Sequence, residues 1–295
     1  MPKFRTDTAS IETTTPKRVE IIAEVGSSHG GDYNTAEALA EAAIQAGADT
    51  VKFQLFSAST LWNRTKMPER WDATYKLALP LSWLKDLKAI CESAGGEFLC
   101  TPFFPDFVPV LEKIGVKRYK VASGDVTYIP LLKEISKTGK PVLLSVGFST
   151  DVEIEKAIEA LRPTGNRESL TLMHCVGQYP CPPEFANLQR ILDLTEKYTF
   201  RHNCRIGYSS HVREWWTDMA AIAYGVVVIE KHICSSQIVG PEDGHSLVVD
   251  EFADFAQAVR DTESAIVKQK DWSPGDVESR YLARRDPRDW LRPNG

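Results

Sequence analysis

The sequence predicts an α/β fold, a (β/α)8 barrel of the TIM type, from two observations. Apolar runs of strand length alternate with amphipathic helical patterns, and eight strand–helix units fit into about 250 residues, the usual size of this barrel. Polar side chains also recur at the ends of the runs, although an unpaired buried polar group costs roughly 1–3 kcal/mol. Eight strand ends that converge on one mouth would form a polar site on an apolar scaffold.

The predicted strands are continuous apolar runs, such as Val-Val-Val-Ile at 226–229, which is typical of parallel sheets covered on both faces. A doubly wound open sheet is the main alternative, but it normally binds its ligand at one switch point and not at every strand end. The predicted strands span residues 19–26, 50–56, 97–103, 118–124, 141–147, 170–177, 205–210 and 226–234.

Each predicted strand is followed by a helical pattern. In the first helix the apolar residues recur at spacings of three and four, which gives it one stripe to pack on the sheet. These residues are Ala36, Leu39, Ala40 and Ala43. The predicted helices span 33–47, 81–94, 105–114, 128–138, 151–161, 184–197, 214–224 and 251–267. The chain therefore divides into an N-terminal arm (1–18), one catalytic barrel domain (19–267) and a C-terminal tail (268–295).

The connection after the second predicted strand, residues 57–80, is long and rich in aromatic and basic side chains. It contains Trp62, Arg64, Trp71 and Tyr75, and we interpret it as an active-site lid or an interface. The predicted tail contributes a further tryptophan, Trp290. Because exposed aromatic residues often mark interfaces, both segments are candidates for the contact surface of a homodimer.

The composition is that of an ordinary globular protein, with 43% hydrophobic and 25% charged residues. The net charge of -5 argues against a dedicated nucleic-acid or membrane surface. No apolar run reaches the ~18 residues of a membrane span and the first residues lack the apolar core of a signal peptide, so we expect a cytoplasmic protein. The six cysteines form no CxxC pair, and buried reduced thiols are preferred over disulfides.

Candidate metal ligands occur at the ends of strands that a closed barrel makes neighbours. Strands seven, eight and one carry His211, His232 and Glu24 at their carboxyl ends, so the three side chains would cluster at one side of the mouth. Two imidazoles with a carboxylate or water suit a divalent ion such as Mn2+ better than a closed structural zinc site. A histidine at a strand end is often only a hydrogen-bonded structural residue, and for each histidine alone that alternative stays open.

The opposite side of the predicted mouth carries ammonium and hydroxyl groups, the donors that a phosphate-and-carboxylate anion needs. They are Lys52, Thr101, Lys120, Ser123, Ser145 and Ser209. Snorkelling lysines and ordinary turn serines are the alternative for any one of the six, but not for all six at equivalent strand ends. After the eighth strand, Glu242, Asp243 and His245 are either a hydroxyl-binding or acid–base group or a solvated loop.

The motifs at the predicted strand ends resemble, in this order, those of the sialic acid synthase (N-acetylneuraminate synthase) family. The resemblance covers roughly residues 19–267, and although each motif alone is weak, the ordered set is specific. The set consists of Ile-Ile-Ala-Glu24, Val-Lys52-Phe-Gln54, Thr101-Pro-Phe, Tyr-Lys120-Val-Ala-Ser123-Gly, Leu-Ser145-Val-Gly, His174-Cys, Tyr179-Pro, Ile-Gly-Tyr-Ser209-Ser-His211, Glu-Lys-His232 and Gly240-Pro. The resemblance implies an enzyme that condenses phosphoenolpyruvate with an aldehyde sugar, similar to an N-acylhexosamine. Its product would be a nonulosonate-type 2-keto-3-deoxy acid, formed with release of phosphate.

The same resemblance implies a role for each site residue. His211 and His232 would hold the divalent metal, expected to be Mn2+, with Mg2+ and Co2+ as alternatives. The lysines and hydroxyls would hold phosphoenolpyruvate, whereas Gln54, Tyr179 and the loop after strand eight would face the sugar. The implied catalytic residues are Glu24, Lys52, Lys120 and Asp125. The implied substrate-binding residues are Gln54, Thr101, Ser123, Ser145, Tyr179, Ser209 and Glu242.

The departures from the family pattern fall on the sugar-facing side. Asp125 stands where the family usually has Glu, Glu242 stands in place of Asp, and residues 28–31 read Ser-His-Gly-Gly in place of Asn-His-Asn-Gly. The sequence ends about 28 residues after the predicted barrel, too short for the family's C-terminal antifreeze-like domain. We therefore expect phosphoenolpyruvate condensation with an acceptor other than plain N-acetylmannosamine. The alternatives are a metal-dependent pyruvate aldolase or lyase and a catalytically silent sugar-binding barrel.

Overall fold

Parallel strands surround a central axis in the computed structural model, which describes residues 18–161, 170–235, 242 and 244–266. The strands are β1 (Glu20–Gly26), β2 (Thr50–Leu55), β3 (Glu97–Pro102), β4 (Tyr119–Val121), β5 (Val142–Ser145), β6 (Leu170–His174), β7 (Arg205–Ser210) and β8 (Val228–Cys234). Their order is β3-β2-β1-β8-β7-β6-β5-β4, and β3 lies beside β4, so the ring is nearly closed. The predicted (β/α)8 fold is confirmed. The predicted tail, and all of the predicted arm except Arg18, lie outside the described residues.

Helices follow the strands and cover the outside of the barrel. They are α1 (Tyr33–Gln45), α2 (Ala58–Leu61), α3 (Pro68–Leu77), α4 (Leu84–Ser93), α5 (Phe107–Ile114), α6 (Ile129–Ser136), α7 (Asp151–Leu161), α8 (Gln189–Leu194), α9 (Phe200–His202), α10 (Trp216–Ala223) and α11 (Val249–Ile266). In α1 the four residues of the predicted apolar stripe are all buried against the barrel, and Asp32 caps the helix by accepting from Thr35 N at 2.7 Å. The main hydrophobic core lies between these helices and the strands.

Two predicted elements differ most from the observed ones. The predicted helix 184–197 is divided, because Pro183–Phe185 form a 3-10 turn and Asn187 adopts a left-handed backbone conformation with φ 45° before α8 begins. A π turn, Thr195–Thr199, then leads from α8 into α9. The predicted strand 118–124 ends at Val121, and Ser123–Asp125 instead form a 3-10 turn at the rim of the barrel.

Side chains inside the barrel form layers, because alternate residues of a strand point to the same side. At the amino ends of the strands, the Arg118 guanidinium donates to Glu97 at 2.8 Å and to Thr50 at 3.0 Å. It also pairs with Glu20 at 2.8 Å. The next layer is apolar and buried, and it consists of Ile22, Leu99, Leu143, Met173 and Val228. Two positions after the residues of this apolar layer, toward the carboxyl ends of the strands, the inward side chains are polar again. The floor of the mouth is therefore a charged layer above an apolar one.

The connection between β2 and α4 contains the helices α2 and α3. The indole of Trp62 donates to Thr74 Oγ1 at 2.8 Å, and Trp71 stacks on Tyr75 with ring centroids 5.1 Å apart. The guanidinium of Arg64 lies 4.3 Å from the centre of the Trp71 ring. No residue of α3 is buried within the described chain, so the predicted role as lid or interface stays a prediction. Trp290 lies outside the described residues.

All six cysteines are buried as free thiols.

Within the ranges that the structure describes, no helix combines the length and the apolar character that crossing a bilayer requires.

A buried ion pair joins β7, β8 and α10 on the outer side of the barrel wall. Lys231 Nζ lies 3.3 Å from Asp218 Oδ2, and neither side chain is exposed. Ser210 Oγ donates to the same carboxylate at 3.0 Å, and the Lys231 ammonium also donates to the Val212 carbonyl. Removing one partner would leave a buried charge without compensation.

We predict that Lys231→Met lowers the free energy of unfolding by about 3–5 kcal/mol, because it leaves the buried Asp218 carboxylate without its cationic partner. Urea denaturation followed by circular dichroism measures this difference. The matched control is Lys88→Met, which removes the ammonium of the exposed Lys88–Glu92 pair at 2.7 Å and should change stability by about 0.5 kcal/mol or less. Equal effects of the two substitutions would contradict the structural role of the buried pair.

Candidate active site

A cavity of about 390 Å³ opens at the carboxyl ends of the barrel strands. Twelve of the thirteen site residues predicted from the sequence line it: Glu24, Lys52, Gln54, Thr101, Lys120, Ser123, Ser145, Tyr179, Ser209, His211, His232 and Glu242. Glu230, His245, Ser27, Cys175, Phe103 and Phe148 contribute further to the lining. The predicted strand-end residues therefore do converge on one mouth.

The strand register explains this convergence. Glu24 of β1 is the register partner of Lys52 in β2 and of His232 in β8. Ser209 of β7 is likewise the partner of Glu230 in β8. Residues that are register partners in a parallel sheet lie side by side and point to the same face. These inward positions therefore form one continuous polar layer.

Two lysines and two glutamates form the buried centre of this layer. Lys52 Nζ lies 2.7 Å from Glu24 Oε2, and Lys120 Nζ lies 2.9 Å from Glu230 Oε2. Lys52 and Glu230 also face each other at 3.6 Å, so the two pairs form one network. At most 4% of each of the four side chains is exposed to solvent, and charges so deeply buried must be paired.

Neutral side chains complete this network. Gln54 Nε2 donates to Glu24 Oε1 at 2.6 Å, and Ser209 Oγ donates to Glu230 Oε1 at 2.9 Å. Thr101 Oγ1 lies 3.5 Å from Lys52 Nζ. Ser145 Oγ is buried and finds no hydrogen-bond partner in the part of the chain that the structure describes. A hydroxyl without a partner in the same cavity as two ammonium groups is a donor available to an anionic ligand.

The buried charges shift one another's pKa values. Burial would raise the pKa of Glu230, but Lys120 and Lys52 outweigh it and hold that pKa well below its usual range. For Glu24, burial dominates over the attraction of Lys52, and the pKa is raised. Burial likewise lowers the pKa of Lys120 despite its pairing with Glu230. Glu230 is therefore the permanent anion of the network, whereas Glu24 is the carboxyl group that takes up a proton more readily.

The other side of the cavity is built from histidines. The carbonyl oxygen of Val176, which can only accept, lies 2.5 Å from His211 Nδ1, so Nδ1 carries the proton. His232 Nδ1 lies 2.8 Å from Glu242 Oε2. Burial acts to raise the pKa of Glu242, but His232 and Ser27 hold it at about 2, so its carboxylate is ionised and accepts from His232. These two hydrogen bonds occupy Nδ1 of each imidazole, so Nε2 is the nitrogen that remains for a ligand.

This arrangement fits a divalent metal ion. Ligating histidines commonly donate their second ring N–H to a carboxylate or a carbonyl, which fixes the tautomer, and both predicted ligands do so here. The ring centroids of His211 and His232 are 5.5 Å apart. Burial lowers the pKa of His211 to about 3, which keeps the imidazole in the neutral form that metals bind.

The predicted sugar-facing residues line the same cavity. The Tyr179 ring packs on His211 with centroids 4.0 Å apart, and 54% of Tyr179 is exposed to solvent. Gln54 faces Glu24, and Glu242 is held by His232 and by Ser27, whose backbone N–H donates to it at 2.7 Å. Of these three residues, Tyr179 therefore offers the largest free surface to an acceptor.

Asp125 is the predicted site residue that does not line the cavity within the described ranges. It lies at the end of the 3-10 turn that follows β4, next to the lining residue Gly124. Its Oδ2 atom is buried and finds no hydrogen-bond partner among the described residues, and burial raises its pKa to about 6. A catalytic role for Asp125 remains a prediction.

Sequence reasoning assigned no role to Glu230 and left His245 open. The signal for Glu230 was present, because it lies two residues before His232 on the same strand and must share its inward face. His245 follows β8 in a loop, where periodicity gives no direction for a side chain. The structure places its ring 4.5 Å from that of His232 and 5.0 Å from that of Tyr179.

Comparisons with known proteins found relatives that cover most of the chain. The sequence profile of the NeuB family matches residues 39–271. The chain is 35% identical over 264 residues to the N,N'-diacetyllegionaminic acid synthase of Campylobacter jejuni, covering 85% of this chain and 78% of that protein. It is 30% identical over 287 residues to the pseudaminic acid synthase of the same species, covering 92% and 81%.

A solved structure shares the fold. The N-acetylneuraminic acid (sialic acid) synthetase of Leptospira borgpetersenii superposes with a TM-score of 0.81 at 29% identity, covering 92% of this chain and 93% of that one. A family profile that spans most of the barrel, together with these relatives, shows that the chain belongs to the NeuB family.

Proposed function

We propose that this protein condenses phosphoenolpyruvate with an aldehyde sugar, similar to an N-acylhexosamine, and releases phosphate to give a nonulosonate-type 2-keto-3-deoxy acid. The observation that carries the proposal is the division of one cavity into a half with two buried ammonium groups and a half with imidazoles. The named relatives are synthases of acids of this kind. The protein is accordingly an enzyme that forms a carbon–carbon bond.

The ammonium half suits phosphoenolpyruvate. Its phosphate and carboxylate carry several negative charges, and charge-assisted hydrogen bonds from lysine are among the strongest that a site can offer. In the free enzyme Lys120 is compensated by Glu230 and Lys52 by Glu24. The incoming anion would take over part of this pairing, with the hydroxyls of Ser145 and Ser209 as additional donors.

The imidazole half suits the aldehyde. A divalent ion held by His211 and His232 would act as a Lewis acid on the aldehyde oxygen. Tyr179 packs on His211 and closes that side of the cavity, and so it would position the sugar against the bound phosphoenolpyruvate. Mn2+ is the proposed ion, with Mg2+ and Co2+ as alternatives.

The reaction forms a carbon–carbon bond and a carbon–oxygen bond to water, and it breaks the carbon–oxygen bond to phosphate. C3 of phosphoenolpyruvate attacks the aldehyde carbon, whose oxygen gains a proton, and water adds at C2 with loss of a proton. The resulting tetrahedral intermediate expels phosphate by cleavage of its C–O bond and leaves the 2-keto group. Glu24 is suited to carrying a proton, because burial raises its pKa, whereas Glu230 stays ionised.

Phosphate release distinguishes this function from its alternatives. A pyruvate aldolase or lyase would release none, and a silent barrel would not turn over. The deciding assay combines phosphoenolpyruvate, Mn2+ and a panel of N-acylhexosamines and other aldehydes, and reads released phosphate and product mass. Cytoplasmic location and a homodimer remain predictions that this assay does not address.

We predict that Lys120→Met weakens phosphoenolpyruvate binding by about 10- to 100-fold, because a hydrogen bond to a charged group contributes roughly 1.5–3 kcal/mol. Isothermal titration calorimetry measures the dissociation constant. Lys137→Met is the matched control, since that lysine lies 71% exposed on the outer surface. Unchanged affinity of the Lys120 variant for phosphoenolpyruvate would refute the proposal that Lys120 binds this anion.

We predict that chelation of divalent metal by EDTA stops phosphate release and that added Mn2+ restores it. In His211→Ala the same addition should not restore turnover, because one of the two proposed ligands is missing. His202→Ala, which removes an imidazole paired with Glu155 at 3.0 Å, serves as the control. Full recovery of the His211 variant would exclude that residue as a ligand.

We predict that kcat/KM depends on pH through the ionisation of Asp125. Burial raises the pKa of this carboxyl to about 6, so it is neutral below and ionised above that pH. If the carboxylate form is the active one, kcat/KM rises as the pH increases through about 6 in the wild-type enzyme, and this rise disappears in Asp125→Asn. A limb of the same size in both proteins would show that the titration belongs to another group.

A further inference from the structure

The ring of Phe148 is an apolar surface in a cavity whose lining is mostly polar. Phe148 lines this cavity, and 65% of the residue is exposed to solvent. The steps of the proposed reaction give it no role. An aromatic ring left in water forgoes the stabilisation that burial would give it, whereas ligand cavities commonly use such rings as contact surfaces. Phe148 is therefore a candidate contact for an apolar part of a substrate.

The backbone beside Phe148 is fixed by its neighbours. The N–H of Gly147 donates to Ser123 Oγ at 3.1 Å, which ties the turn after β5 to the turn after β4. A Cβ atom at position 147 would lie 2.6 Å from Cys175 Sγ and 2.7 Å from the Cys175 carbonyl oxygen, so only glycine allows this close approach. The fold therefore determines where the Phe148 ring is presented.

The ring lies directly over Gly177, on the connection that follows β6. A Cβ atom at position 177 would lie 1.8 Å from Cζ of the Phe148 ring and 2.2 Å from its Cε1 atom. The lack of a side chain at Gly177 is thus what makes room for the ring. Tyr179 follows two residues later, also lines the cavity and is 54% exposed. Two exposed aromatic rings therefore belong to neighbouring connections of one cavity.

The chemistry of a phenylalanine limits what it can recognise. Its ring has no hydrogen-bonding group, so a sugar hydroxyl packed against it loses water and gains no partner. The methyl group of an N-acyl substituent loses nothing by the same contact and gains the free energy of apolar burial. Phosphoenolpyruvate carries charged groups, which suit the ammonium half of the cavity. The substrate group that matches Phe148 is therefore the acyl substituent of the acceptor.

We propose that Phe148 is a specificity-determining residue that packs against the N-acyl group of the acceptor sugar, with Gly177 providing the space for its ring. This inference rests on the proposed function, because it concerns the acceptor of the same site. It assigns part of the acceptor selectivity to the connection after β5. The enzyme should accordingly prefer a sugar with an acylamino group over the hexose that has a hydroxyl at the same carbon.

The test measures kcat and KM by phosphate release in the wild-type protein, Phe148→Ala and Phe148→Leu. Each N-acylhexosamine of the aldehyde panel is paired with the corresponding hexose, at saturating phosphoenolpyruvate and Mn2+. In Phe148→Ala we expect the KM for N-acylhexosamines to rise about fivefold or more, and their advantage in kcat/KM over the hexoses to fall by a similar factor. The KM for phosphoenolpyruvate should stay within about twofold. Phe148→Leu keeps an apolar side chain and should retain part of the preference.

Gly177→Ala tests the same surface without changing the ring itself. Gly177 is not in the left-handed conformation, so alanine fits its backbone, but the added methyl group must displace the Phe148 ring. The preference for acylated sugars should fall as it does in Phe148→Ala. Phe200→Ala is the matched control, at a phenylalanine of α9 that is 79% exposed and does not line the cavity, and it should change neither KM. Melting temperatures report whether each variant folds.

The outcomes separate this inference from the proposed function. An unchanged KM and an unchanged preference for acylated sugars in Phe148→Ala would overturn the inference and leave the condensation reaction intact. Equal kcat/KM of the wild-type protein for hexoses and N-acylhexosamines would do the same. Equal rises in the KM for both substrates would show a general structural role of the turn and would also overturn the inference. Absence of phosphate release with every aldehyde would overturn the proposed function, and this inference with it.

Discussion

The buried network of Lys52, Lys120, Glu24 and Glu230 is the constraint on which the rest of the site depends. Four ionisable side chains in the interior of a barrel are tolerated only because each cation faces a carboxylate, at 2.7 and 2.9 Å. The apolar layer beneath them excludes water and strengthens these interactions. An anionic substrate can therefore enter only by exchanging partners with the glutamates, so the free enzyme is already arranged around the charges that the substrate would bring.

The existence and order of the barrel elements could be predicted from hydrophobic periodicity, because each strand is covered on both faces and each helix on one. The limits of the elements could not. Residues 184–197 have a helical pattern, but the prolines before α8 and the left-handed Asn187 interrupt it. Residues 122–124 are similarly apolar or small enough for a strand, yet β4 ends at Val121 because the chain turns there to form the rim of the cavity.

The candidate site was predictable where it lies on strands and less so where it lies on loops. Register and a period of two residues bring Glu24, Lys52 and His232 together, and both can be inferred from sequence spacing. The same spacing applied to Glu230 would have placed it in the site as well. No such rule exists for His245, whose position depends on a turn and on the pairing of β9 (Leu247–Val248) with β8. The resemblance placed Asp125 in the site, whereas Ser123 and Gly124 are the residues of this 3-10 turn that line the cavity.

The two halves of the cavity differ in how they are built, and this difference bears on substrate choice. The half that would bind the anion contains strand residues that are almost completely buried and held in register, so a substitution there disturbs several partners at once. The half that would face the sugar is formed by Tyr179, Glu242 and His245, which lie on connections after β6 and β8. Changes in those connections alter the acceptor pocket without disturbing the charge network. Of the departures from the family pattern, Glu242 lies on one of these connections, whereas Asp125 follows β4 and residues 28–31 follow β1. All of them lie outside the strands that carry the charge network, which is why a retained donor chemistry with a different acceptor is physically consistent.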